Sequence, residues 1–229
     1  MRDYKTKALF SFDKHQKRLC ARVSRLVVDV ERFSSDEQEI MSKVGMGVIY
    51  TKTSTQNALR RKISQKERKA LLKSYYFTHH KAFYLAVKKV LDKYGKCLII
   101  DCCSFSSFSQ DYELFKDAYR PQICLGADDF HTPKALLEIA KNAFESAGFE
   151  VAINTPFTGS IVPLEYYGKD SRASSLMIEV RMDLYMDETT GRLRGDYLVT
   201  KARLNRACKQ ICKYFNQIIH HTIYLSLHK

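Results

Sequence analysis

The sequence predicts an α/β protein, a three-layer α/β/α sandwich built on a mixed, largely parallel sheet. Three observations predict it. Short, continuously apolar runs such as Cys97-Leu98-Ile99-Ile100 and Ile123-Cys124-Leu125 have the length and composition of strands buried on both faces. Amphipathic helical stripes lie between them, and this alternation marks a sheet covered by helices. At 229 residues the chain fits one large domain, residues 1–229, because a single core keeps growing to roughly 250–300 residues before it splits.

Each element has its own signal. Residues 2–20 read as a helix, with Ala8, Leu9, Phe12 and Leu19 among basic residues, and 23–30 as a β-branched strand. Residues 45–53, GMGVIYTKT, form a second extended segment. The clearest helix follows. Ser64 caps it, Glu67 completes an S-x-x-E box, and Leu71, Leu72, Tyr76, Phe83, Val87 and Leu91 fall on one stripe before Gly95 ends it. Strands at 97–101 and 123–126 come next, and Thr132 and Pro133 supply N-cap and first-turn signals for a helix closing near Gly148. Residues 151–154 return to the sheet and 175–180 add another strand. Residues 196–227 read as a last long helix with Leu204, Cys208, Ile211 and Phe215 on one side.

Composition narrows the class. Hydrophobic residues at 45% and charged residues at 28% give the balance of a soluble globular chain. No run approaches the roughly 18–20 apolar residues of a membrane span, and the basic start leads into no apolar signal core, so a cytoplasmic protein is expected. Seven cysteines, without a secreted-scaffold spacing, read mostly as reduced core residues. The net charge of +13 raises nucleic acid as a partner. The cations are spread over helical stretches such as Arg60-Arg61-Lys62, however, where they more often form a solvated face. That argues against a nucleic-acid partner, and a small anionic substrate fits the same charge sign.

In open α/β sheets the ligand sits beyond the carboxyl ends of the strands. The residues there are chemical ones: Asp101-Cys102-Cys103-Ser104, then Gly126 to His131, then Asn154-Thr155-Pro156-Phe157-Thr158-Gly159. Glu179 lies inside an apolar run, where burial would raise its pKa toward a range useful for proton transfer. The plain alternative is an edge-strand residue facing water. His131, on a loop at a helix start, reads as a ligand, a substrate contact or an exposed residue. His80 is equally well a hydrogen-bonded core histidine, and adjacent His220 and His221 face different sides of a helix and are no ligand pair.

The order of these segments resembles the N-formylglutamate amidohydrolases from Asp3 to about Gly191. Six blocks carry the likeness: residues 24–32, 75–80, 101–105, Leu125-Gly126, 154–159, and 175–179 followed by 184–187. The resemblance implies a fold similar to the zinc carboxypeptidases and hydrolysis of N-formyl-L-glutamate, or a related N-acyl amino acid, during histidine breakdown. It implies a zinc ion that polarises the formyl carbonyl and acidifies its bound water, with Glu179 taking and returning the proton. Arg25, Asp29 and Arg32 are similar to the family's R-x-x-x-D-x-x-R element, where arginine clamps a substrate carboxylate, and Arg172 is a second clamp candidate. The competing reading of these residues is a structural Arg–Asp pair. Asp101, Cys103, Glu179 and Arg25 are then expected to converge on one cleft, lined also by Asn154 and Gly159, with Ser104 and His131 nearby.

The departures concern the metal. The family's D-x-H-S block has Cys103 where a histidine would bind zinc, and thiolate makes bound water less acidic. The sequence begins close to the family's second block, with Asp3 at the place of its acidic residue, so the family's first strand and P-H-S-G-like loop are expected either to have been lost or to lie upstream of a truncated start; Asp3 and Cys103 are the nameable ligands. Arg181-Met182 stands where the family has asparagine then arginine. Two readings follow, an active zinc amidohydrolase and a catalytically impaired member serving as a binding or regulatory module.

Overall fold

The computed structural model describes residues 5–12, 17–60, 62–114, 116, 119–219 and 224–228, with 217–219 and 224–228 described by backbone alone. Backbone contacts divide the chain into two compact units. One comprises Met1–Arg2, Ala21–Leu85 and Ser109–Asp117, the other Asp3–Cys20, Ala86–Phe108 and Ala118–Lys229.

The larger unit holds a six-stranded sheet. In chain order its elements are α1 (Thr6–Leu9), β1 (Lys17–Cys20), β2 (Cys97–Phe105), β3 (Ile123–Gly126), α4 (Lys134–Ser146), β4 (Val151–Ile153), β5 (Ala173–Arg181), α5 (Tyr197–Ile219) and β6 (Tyr224–His228), with α2 and α3 described below. The strand order is β1-β6-β2-β5-β3-β4. Neighbours are parallel except β3 and β5, which are antiparallel. The sheet is therefore mixed and largely parallel, as the buried apolar runs predict.

Side chains alternate across a strand, and here the alternation separates packing from chemistry. Leu98, Ile100 and Cys102 of β2, Ile123 and Leu125 of β3, and Leu176, Ile178 and Val180 of β5 join one buried cluster with Leu136, Ala140 and Phe144 of α4 and Leu204, Cys208, Ile211 and Phe215 of α5. Leu9, Phe10 and Phe12 complete it. None of the seven cysteines is disulfide-bonded and six are buried, in line with the expected reduced core thiols.

The smaller unit closes over Val28, Val30, Val48, Ile49, Leu72 and Tyr76. Its long helix starts with α2 (Gln65–Leu71), passes through a π-helical turn at Leu72–Tyr76 and continues as α3 (Phe77–Tyr94), which runs into the larger unit. The Ser64 and Glu67 side chains form the expected reciprocal capping box, and Gly95, at φ 76°, follows its end.

Five expectations are corrected. Residues 23–30 form turns, because the Val27 and Val28 amides bond to Ser24 O and the Ser24 hydroxyl takes the Leu26 amide, giving the backbone a local alternative to a ladder. Residues 45–53 fold as a loop in which Gly45 O accepts from Thr51 and Lys52, with Gly45 in the left-handed region. Within 2–20 the described helix is only Thr6–Leu9, and 17–20 is a strand. The last helix ends at Ile219, and β6 inserts between β1 and β2. The pair His220 and His221 lies outside the described residues. Thr132 does not cap α4: its hydroxyl donates to Ser175 O at 2.7 Å instead.

Candidate functional site

On the second face of the sheet the odd-numbered positions of β2 and β5 turn together. Cys103 of β2 is the register partner of Glu179 in β5, and Glu179 is in turn the partner of Cys124 in β3. Asp101 pairs with Met177, and Met177 with Gly126. Three adjacent strands thus carry Asp101, Cys103, Glu179 and Cys124 on one face. Asp101 and Glu179 are 5% and 6% exposed, and both thiols are fully buried. The Cys103 thiol donates to Asp101 Oδ1 at 3.2 Å. Burial pushes the Cys124 thiol up to about 11, and the negative charge of Glu179 adds to that rise.

The loop after β4 lies along this same face. Asn154, at φ 54°, donates its amide to Leu125 O, and its Oδ1 accepts from the Ala127 amide at 2.8 Å. Phe157 O accepts from the Cys124 thiol at 3.2 Å, and the Phe157 ring meets Phe105 edge-on at 5.5 Å. Gly159 crosses over Gly126 so closely that a Cβ on Gly126 would collide with Gly159 O. The Ser175 hydroxyl then donates to Ile161 O at 2.8 Å. Asn154 and Gly159 therefore flank the face that holds Cys103 and Glu179.

Other candidates do not join them. Ser104 takes the alternate parity, that of Cys102, which packs with the helices. His131 is fully buried. Its Nδ1 donates to Ala173 O at 2.8 Å and its Nε2 accepts from the Gly168 amide at 2.8 Å, so both nitrogens are committed and the ring is a strut, not an exposed residue. It sits at the start of β5 because β3 runs antiparallel to β5, so the loop after β3 leaves at the edge opposite the carboxyl ends of β2 and β5. Arg172 is at that same edge, seven residues and so roughly 23 Å of strand before Glu179. Its Nη2 bonds to Asp170 Oδ2 at 2.6 Å.

Arg25, Asp29 and Arg32 form a cluster within the smaller unit. Asp29 Oδ2 accepts from the Tyr50 hydroxyl at 2.6 Å and Oδ1 accepts from the Glu31 amide at 3.1 Å. Arg25 lies 3.9 Å from Asp29 and 3.5 Å from Glu31, and Arg32 lies 3.6 Å from Asp29 and 3.9 Å from Glu39. Burial alone would lower the Arg32 guanidinium, but the charges of Asp29 and Glu39 hold it above its ordinary value. Burial first, then Asp29, raises the Tyr50 phenol. This is the internal Arg–Asp network of the competing reading. His80 Nε2 donates to Val30 O at 2.8 Å and its ring packs on Tyr76, so it is a hydrogen-bonded structural histidine. Beside it, burial and the His80 charge push His79 down to about 4.

A zinc ion needs three gathered protein donors. Among the described residues no three of His, Cys, Asp and Glu are placed to hold a metal ion. Cys103 has Asp101 as its bonded neighbour, and Asp3 lies outside the described residues. The described donors do not fit the zinc centre that the resemblance implies. Sequence reasoning also missed Cys124 and Phe157, although Cys124 alternates with Ile123 and Leu125 within its apolar run and so had to face the other side of the sheet.

The fold has known counterparts. The crystal structure of N-formylglutamate amidohydrolase from Ralstonia eutropha superimposes with a TM-score of 0.70 at 19% identity, covering 84% of this chain and 75% of that one. A gene product of Agrobacterium tumefaciens superimposes with a TM-score of 0.56 at 18% identity, over 85% of this chain and 70% of that one. No curated protein matches the chain. The N-formylglutamate amidohydrolase family matches residues 1–186, which carry β2, β3, β5 and the loop over Glu179, and the chain belongs to that family.

Proposed function

We propose that the chain is an amidohydrolase acting on an N-acyl amino acid of the N-formyl-L-glutamate type, with Glu179 as its proton-carrying carboxylate. The observation that carries this reading is the placement of Glu179 between Cys103 and Cys124 on a buried face flanked by the 154–159 loop. In the step assigned to it, Glu179 accepts a proton from water as the water oxygen attacks the acyl carbon. The C–N bond then breaks, and Glu179 returns the proton to the departing nitrogen. Asp101 fixes the Cys103 thiol beside it.

A second reading, a catalytically impaired member that binds without turnover, is favoured by the donor set. Without three gathered ligands the described residues offer no metal-bound water, and no step is assigned to zinc. The two readings separate in one experiment: zinc content and N-formyl-L-glutamate turnover for the wild type, Glu179→Gln and Cys103→His. Slow turnover that Glu179→Gln lowers by about 10²–10⁴ supports the first reading. Turnover unchanged in Glu179→Gln removes Glu179 from the chemistry, and saturable binding with no turnover in any form supports the second.

A further inference from the structure

Away from Glu179, the outer side of α5 carries a groove of about 600 Å³ that the amidohydrolase reading does not use. Leu198, Lys201, Arg206, Lys209, Gln210 and Lys213 line it. These positions recur at helical spacing, so they form a single stripe about 22 Å long at 1.5 Å per residue. Its other wall is fixed by Asn205, whose Oδ1 accepts from the Ser11 amide at 3.0 Å and whose Nδ2 donates to Leu9 O at 3.1 Å.

The charge in this groove has one sign. Helix α5 contains no Asp or Glu along Tyr197–Ile219, and no acid lines the groove. Among the described residues its four cations enter no ion pair, unlike Arg172, Arg181 and Arg194, which are each held by an aspartate. Their steps along the axis are on the order of 5–7 Å, which suits the successive charges of an extended polyanion. The groove has no aromatic side chain for base stacking and no deep apolar pocket for the anchors of an acidic amphipathic helix.

We propose that this groove binds the sugar–phosphate backbone of single-stranded nucleic acid without regard to base sequence. Lys201, Arg206, Lys209 and Lys213 neutralise phosphates, and Gln210 supplies a neutral hydrogen-bonding side chain beside them. The inference goes beyond the amidohydrolase reading and stands or falls separately from it.

The test is fluorescence anisotropy of a labelled oligothymidylate against the full chain, repeated from 50 to 200 mM KCl. Four cations at about 0.7 counterions each predict a slope of log affinity on log salt near −3, which is a loss of about 50-fold across that range. Lys201→Glu/Lys209→Glu/Lys213→Glu should lose at least about 30-fold and flatten the slope. Lys66→Glu/Lys69→Glu/Lys73→Glu, on α2 and the π-helical turn that follows it, makes the same change in net charge and should lose less than about threefold. A triple Lys→Gln variant of the groove, with a melting temperature matching the wild type, guards against misfolding. Equal losses in both triple variants would overturn the site, as would tighter binding of poly-glutamate than of the oligonucleotide.

Discussion

A buried polar side chain is informative only when its partners are known, and two residues of this chain illustrate the difference. Glu179 and His131 are both buried and both adjoin β5. Both nitrogens of His131 end on backbone groups, Ala173 O and the Gly168 amide, so its work is to hold 128–132 and 163–168 against the sheet. His131→Phe keeps the bulk and strands both partners. It should cost about 2–4 kcal/mol in chemical denaturation, and a change below about 0.5 kcal/mol would show the strut to be dispensable. His79 adds a pH signature. Its folded pKa of about 4 lies below the ordinary 6.5, so the unfolded chain binds the extra proton between these values. Stability from this group is fully present above about pH 6.5 and is lost as pH falls toward about 4. The His79→Gln variant should lose less stability than the wild type across that window, and parallel denaturation curves would contradict the assignment.

At the scale of elements, local chemistry decides where a segment can resist its tertiary context. The helix from Gln65 to Tyr94 forms where predicted because its ends are specified, by the Ser64–Glu67 box and by Gly95. Ser64→Ala removes the acceptor of the Glu67 amide and should cost about 0.5–2 kcal/mol in thermal unfolding; no change would mean that the box forms without stabilising the helix. The π-helical turn at Leu72–Tyr76 was not legible, since it depends on seating Leu72 and Tyr76 in the smaller unit's core. Residues 23–30 show the reverse. Their β-branched composition is real, but Val28 and Val30 reach their core from turns held by Ser24. The strand at 224–228 had an alternating Tyr-Leu-Ser-Leu-His pattern, overlooked because the preceding helix stripe was extended through it.

For the molecule as a whole, the donor inventory makes a prediction about metal. A ligand that binds only the folded state raises the melting temperature by mass action. With no three donors gathered among the described residues, tenfold excess zinc should shift the melting temperature by less than about 1 °C, and EDTA should leave it unchanged. A rise of several degrees with stoichiometric zinc would mean that the centre is completed from outside the described residues. No helix among the described residues is long and apolar enough to cross a membrane.

By itself the sequence determined the α/β class, the positions of β3, β4 and β5, the start of β2 and the candidacy of Glu179, because apolar runs and their interruptions are local properties. Cys103 was named from the family resemblance, and β2 runs on to Phe105, so residues 101–104, expected beyond the strand's end, lie within it. Direction, parity and pairing are not local. Only the tertiary structure decided that β3 and β4 run against β5, which sends His131 to one edge and leaves Cys103, Glu179 and Cys124 side by side. It placed Ser104 on the packing face and bound Arg25 and Arg32 to Asp29. It also showed a groove on α5 lined by part of the positive charge that the sequence reads as spread over solvated helical faces. The physical reason is common to all of these: a strand or helix states which residues share a face, and only its neighbours determine what that face meets.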